Sequence, residues 1–149
     1  MNKEKAAAAK ALFMEGYNCS QAVEGAWAED IGLDSETAYK IASGFGGGIG
    51  RMREVCGAFT GAVMVLGLKF GNTIGSDREA KGKDYERVQL FAKRFKEELG
   101  SDTIICRELL GLSGPSDPDP AKRTKEYYQK RPCPETVAIA SGLLGEFME

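Results

Sequence analysis

Apolar residues recur along the chain at helical spacing, broken by short polar or glycine-rich stretches. There is no internal repeat and no convincing strand pair. The first predicted helix runs from Lys3 to Met14 and stops at Gly16. The second opens at Asn18-Cys19-Ser20-Gln21, the form of a capping box, and carries Ala22, Val23, Ala26 and Trp27 on one stripe. A third starts near Asp34-Ser35-Glu36 with Ala38, Ile41 and Ala42 inward. From about Arg53 to Phe70, Val55, Ala58, Phe59, Ala62, Val63, Val65, Leu66 and Leu68 cover almost the whole circumference, the mark of a central helix. The β-branched residues of Val63 to Phe70 also suit a strand, but Gly57, Gly61 and Val65 at four-residue spacing favour helix. Gly57 and Gly61 share a face that another backbone can approach closely.

A long charged helix is predicted from Asp77 to Leu99, with Val88, Phe91, Ala92, Phe95 and Leu99 as its seam and Gly100 as its stop. A short one follows from Asp102 to Leu110. The segment from Gly114 to Pro120 is too rich in proline for regular structure. A basic helical piece, Ala121 to Lys130, leads to a last helix in which Cys133 is the predicted cap, Pro134 the first residue and Phe147 the end. The expected fold is all-α: one helical domain, a compact multi-helix bundle around a central apolar helix at about 53–70.

Composition narrows what such a bundle does. Its 149 residues are 42% hydrophobic and 28% charged, and the net charge of −2 offers nucleic acid no basic face. Val55 to Leu68, the longest apolar run, falls short of the roughly 20 residues that cross a bilayer. Lys10 and Glu15 make the opening segment amphipathic rather than a signal sequence. A cytoplasmic protein, neither inserted in a membrane nor bound to nucleic acid, is expected, with its cysteines reduced. There is no histidine. That removes Ser-His-Asp and Cys-His catalysis and every mixed Cys/His metal site, leaving thiols, carboxylates, lysines, tyrosines or a bound cofactor.

The glycine-rich run from Gly44 to Gly61 invites a nucleotide reading and fails it. No Gly-Lys-Ser/Thr closes a phosphate loop, no register fits G-x-G-x-x-G, and no strand precedes the run. Its backbone N–H groups could still meet an anion. The run also brings Arg51 and Arg53 close to Cys56, and the expectation is that it carries this cysteine into a shared cysteine pocket.

Cys19, Cys56, Cys106 and Cys133 form no local CxxC pair. Each falls in the first or second turn of a predicted helix, where partial positive charge and free N–H groups stabilise a thiolate. Cys19 in YNCSQAV, the run SGFGGGIGRMREVCGAFTGAVMVLGLKFG, Cys106 in CRELLG and Cys133 in CPETVA together resemble the redox-active protein family named for a C_GCAxxG_C_C pattern. The signature Cys-Gly-Ala-x-x-Gly is matched by Cys56, Gly57, Ala58 and Gly61, and the resemblance spans nearly the whole chain. It implies a small helical protein with a redox role, with an iron–sulfur cluster or another metal as its cofactor.

Three readings stand. In the first, the protein performs thiol–disulfide exchange or relays electrons to a redox partner protein. Cys56 is then the attacking thiol, held as thiolate by Arg51 or Arg53, and Cys19 its resolving partner. In the second, Cys19, Cys56, Cys106 and Cys133 ligate an iron–sulfur cluster or zinc, with Gly57, Gly61, Arg51 and Arg53 as the residues contacting the cofactor. In the third, the cysteines are packing residues of a non-catalytic helical interaction protein.

Overall fold

Asn2, Asn18, Asp34, Asp77 and Thr124 each accept a hydrogen bond from a backbone N–H three residues on, and each starts a helix in this way. In the computed structural model, which describes residues 1–149, there are eight α-helices and no strands. They are α1 (Lys3–Met14), α2 (Cys19–Trp27), α3 (Ser35–Ala42), α4 (Gly57–Phe70), α5 (Arg78–Leu99), α6 (Cys106–Leu110), α7 (Lys125–Lys130) and α8 (Cys133–Leu144). The Asn18 capping box is complete, with Gln21 bonding back to the Asn18 N–H at 3.0 Å.

Four helix starts differ from the sequence expectation. α4 begins at Gly57 rather than near Arg53, because Gly47 to Arg51 and then Arg53 all have positive φ and cannot enter a right-handed helix. Cys56, expected a turn inside, is therefore the residue that precedes the first turn. α6 and α7 start only at Cys106 and Lys125, and Pro134 is the second residue of α8, with Cys133 the first.

α4 lies at the centre. Ala58, Phe59, Ala62, Val65 and Leu66 are buried against α2, α5 and α8, and α1 packs along α8. Gly61 lets α2 and α4 come together: a methyl group there would stand 2.7 Å from the Ser20 carbonyl oxygen. Phe59, Phe91 and Phe95 stack where α5 closes the core, and Trp27 donates to the Ser141 carbonyl at 3.0 Å. No helix is long and apolar enough to cross a membrane.

One core position is out of keeping. Glu24 of α2 is 0% exposed and neither carboxylate oxygen has a hydrogen-bond partner. Burial raises its pKa from 4.5 to about 7, so between those values the folded chain holds a proton that the unfolded chain releases. The stability this contributes is fully present below pH 4.5 and is lost as pH rises through about 7. Glu24→Met removes both the titration and the unpartnered group. At pH 8 it is expected to stabilise the protein by about 1–3 kcal/mol in denaturant titrations, and to flatten the decline between pH 5 and 8. A variant less stable than wild type at pH 8 would assign the carboxylate a partner.

Candidate functional site

The loop before α4 sets the site. Ile49, Arg51 and Arg53 hold φ of 65°, 64° and 62°, each costing roughly 1 kcal/mol or more for an L-residue. Backbone hydrogen bonds hold them there. Arg53 N–H donates to the Gly47 carbonyl at 3.1 Å and Glu54 N–H to that of Gly48 at 2.8 Å. Ser116 N–H donates to the Arg51 carbonyl at 2.9 Å. Beyond the loop, Val55 and Ile105 form an isolated antiparallel bridge, with Cys56 N–H donating to Ile104 at 2.8 Å and Cys106 N–H to Glu54. That bridge pairs Cys56 with Ile104 and Cys106 with Glu54, bringing both cysteines to the wall of one cavity, and the Arg107–Glu54 ion pair at 2.9 Å flanks it. Gly48 sits directly against Cys106: a methyl group there would come within 2.6 Å of Cys106 Cβ.

The other two cysteines arrive from α2 and α8. A methyl group on Gly57 would meet Cys19 Cβ at 3.1 Å, so the glycine admits the first turn of α2. Cys19, Cys56, Cys106 and Cys133 then line one cavity of about 70 Å³, room for a few water molecules. Cys19, Cys106 and Cys133 are each the first residue of their helix, and Cys56 precedes the first residue of its own. All four are free thiols.

Their protonation differs sharply. A hydrogen bond from Cys19 lowers the Cys133 thiol from 9.0 to about 7, helped by the nearby charges of Arg131, Arg53 and Arg123. The same hydrogen bond, with burial, raises Cys19 well above the ordinary thiol range. Burial pushes Cys56 up to about 12, against the opposing pull of the Phe59 and Ala58 backbone N–H groups. Cys133 is thus the most readily ionised of these three thiols, and Cys19 and Cys56 are held as thiols at neutral pH.

The arginines divide. Arg53, only 7% exposed, donates to Cys106 Sγ at 3.6 Å and to Ser116 Oγ at 2.9 Å. Arg51 does not line the cysteine cavity; its guanidinium donates to the Asp119 carbonyl. Gly57 lines the cavity, whereas Gly61 lies one turn further along α4 at the α2 contact. Sequence reasoning passed over Arg123, Tyr127 and Arg131. Arg123 sits 4.2 Å over the Phe13 ring and donates to the Phe13 and Tyr17 carbonyls, which pins it at the cavity wall. The clustering of basic residues just before Cys133 was the available signal.

No three of the chain's cysteines and carboxylates stand close enough around one point to hold a metal ion. The arrangement does not fit a closed Cys₄ zinc, in which all four sulfurs lie about 2.3 Å from one centre. A family model described as "Putative redox-active protein (C_GCAxxG_C_C)" matches residues 17–147. No curated protein and no solved structure matches the chain.

Proposed function

Since the chain belongs to the C_GCAxxG_C_C family of redox-active proteins, we propose that its redox centre is the four-cysteine cavity and that Cys133 and Cys19 cycle between dithiol and disulfide. The observation that carries this reading is that Cys19 and Cys133, each the first residue of its helix, line the same cavity, where Cys19 is the leading cause of the lowered Cys133 pKa. The attacking role expected of Cys56 passes to Cys133, because Cys56 is 6% exposed and protonated at neutral pH.

In the cycle, Cys133 Sγ attacks one sulfur of a partner disulfide. A mixed disulfide forms, and the partner's other sulfur leaves as thiolate. Cys19 gives up its proton, which neutralises that leaving thiolate. Its sulfur then attacks Cys133 Sγ, closing the Cys19–Cys133 disulfide and releasing the partner's second sulfur. Two electrons pass from the pair to the partner, which is reduced to its dithiol once a solvent proton is added. Arg53, Arg123 and Arg131 offset the negative charge at Cys133 throughout.

One observation favours a second reading. Cys56 and Cys106 face the same cavity, and a two-cysteine cycle gives them no task. An iron–sulfur cluster would use all four, since its ligands bind different irons and need not converge on one point. Bound, such a cluster supplies one-electron transfer.

The test is alkylation of metal-free, reduced protein by iodoacetamide, followed residue by residue with mass spectrometry. Labelling of Cys133 is expected to rise with a midpoint near pH 7, with Cys56 unlabelled at that pH, and mild oxidation to yield a Cys19–Cys133 disulfide. A Cys133 midpoint near 9, or a disulfide excluding Cys133, overturns the thiol cycle. Stoichiometric iron in protein purified without oxygen supports the cluster instead.

A further inference from the structure

Beside the cysteine cavity lies a second, wider pocket of about 340 Å³. Asn18, Gly47, Arg53, Arg123 and Tyr127 line both, so the two are adjoining chambers. The wider one is walled by Arg51, Arg53, Arg123 and Arg131, with no aspartate or glutamate in its lining. Elsewhere in the chain Arg87, Arg94 and Arg107 each pair with a carboxylate. The four pocket arginines pair with none. Arg51 and Arg123 donate to carbonyls, Arg53 to a hydroxyl and a sulfur, and Arg131 lies 5.5 Å over the Tyr127 ring. These contacts orient the guanidinium groups and leave them without a carboxylate partner.

Two further features point the same way. Arg51 Nε is buried without a hydrogen-bond partner. The Gly46 and Gly47 N–H groups, at the pocket wall, donate to no protein acceptor. Two successive free N–H groups, at extended Gly46 and left-handed Gly47, beside guanidinium forks are the donor set that oxyanions take. One thiolate at Cys133 does not balance four fixed positive charges at a partly desolvated site.

The geometry points to a binding site for the anionic group of a small substrate, whose sulfur would enter the adjoining cysteine cavity. The substrate class is a low-molecular-weight disulfide bearing carboxylate or phosphate groups. The anion would sit among Arg51, Arg123 and Arg131, while the disulfide meets Cys133 past Arg53. As an anion site the pocket stands on its own charges; as a substrate site it rests on the thiol-exchange reading.

The experiment has two arms. In the first, inorganic phosphate is titrated into reduced protein by calorimetry at low ionic strength. Saturable binding near one per chain is expected, weakened roughly tenfold or more in Arg51→Gln and partly restored in Arg51→Lys. In the second, oxidation of the thiols by glutathione disulfide, which is anionic, is compared with oxidation by cystamine, which is cationic. Glutathione disulfide is expected to react faster, and phosphate to slow it more than chloride does at equal ionic strength. No saturable phosphate binding overturns the site. Phosphate binding with no preference for the anionic disulfide overturns the substrate assignment and leaves the anion site standing. Binding by a protein whose Cys19 and Cys133 form no disulfide with either oxidant refutes the thiol reading alone.

Discussion

Gly48→Ala lowers the melting temperature by on the order of 10 °C and disorganises the cysteine cavity. Two costs combine at this position. The backbone holds φ of 69°, which an alanine adopts at a cost of roughly 1–2 kcal/mol. The added methyl group would also lie 2.6 Å from Cys106 Cβ, 2.7 Å from the Glu54 nitrogen and 2.9 Å from Arg53 Cα. Two of those three atoms are backbone, fixed by the hydrogen bonds of Glu54 to Gly48 and of Cys106 to Glu54. They cannot swing aside as a side-chain tip does, so overpacking adds about 1–3 kcal/mol. Gly50→Ala is the matched control. Its φ of 56° carries the conformational cost, but nothing lies within 4 Å of the added methyl group, and a loss of about 1–2 kcal/mol is expected. Equal melting temperatures for the two variants would show that the loop yields at Gly48.

Under the proposed thiol cycle, Cys133→Ser lowers the rate of exchange with a small disulfide by roughly a hundredfold or more, because a serine hydroxyl supplies no thiolate. Cys19→Ser fails differently. Cys133 still attacks, but without a resolving thiol the mixed disulfide accumulates and is visible as a mass adduct on Cys133. The Cys133 midpoint also shifts upward in this variant, since the Cys19 hydrogen bond is the leading cause of its lowered value. Cys56→Ser and Cys106→Ser retain exchange under the thiol cycle. Equal loss of function in all four serine variants, together with loss of iron, would instead assign the cavity to a cluster.

Much of the fold was legible along the chain because helix signals are local. The Asn18 capping box, the Asp77 start and the Gly100 stop involve residues three or four apart, and each is where the pattern placed it. The length of the central helix was overestimated for a physical reason. Arg53, Val55 and Cys56 carry side chains that suit a helix, and nothing in their identity announces that Arg51 and Arg53 have positive φ. That conformation is imposed by contacts from distant segments, with Arg107 N–H and Ser116 N–H donating to the Arg53 and Arg51 carbonyls.

The same division holds for the site. The sequence by itself determined that a chain with no histidine places four cysteines at or just before the starts of helices, and that Gly57 and Gly61 permit close approach. Which cysteine has the lowered pKa was decided only by tertiary structure. Protonation follows from burial, from the approach of Cys19 on α2 to Cys133 on α8, and from arginines as far apart in the chain as Arg53 and Arg131. The arginine pocket was illegible for the same reason: Arg51 and Arg53 lie far from Arg123 and Arg131 along the chain, and their charges add only once folding sets them around one space.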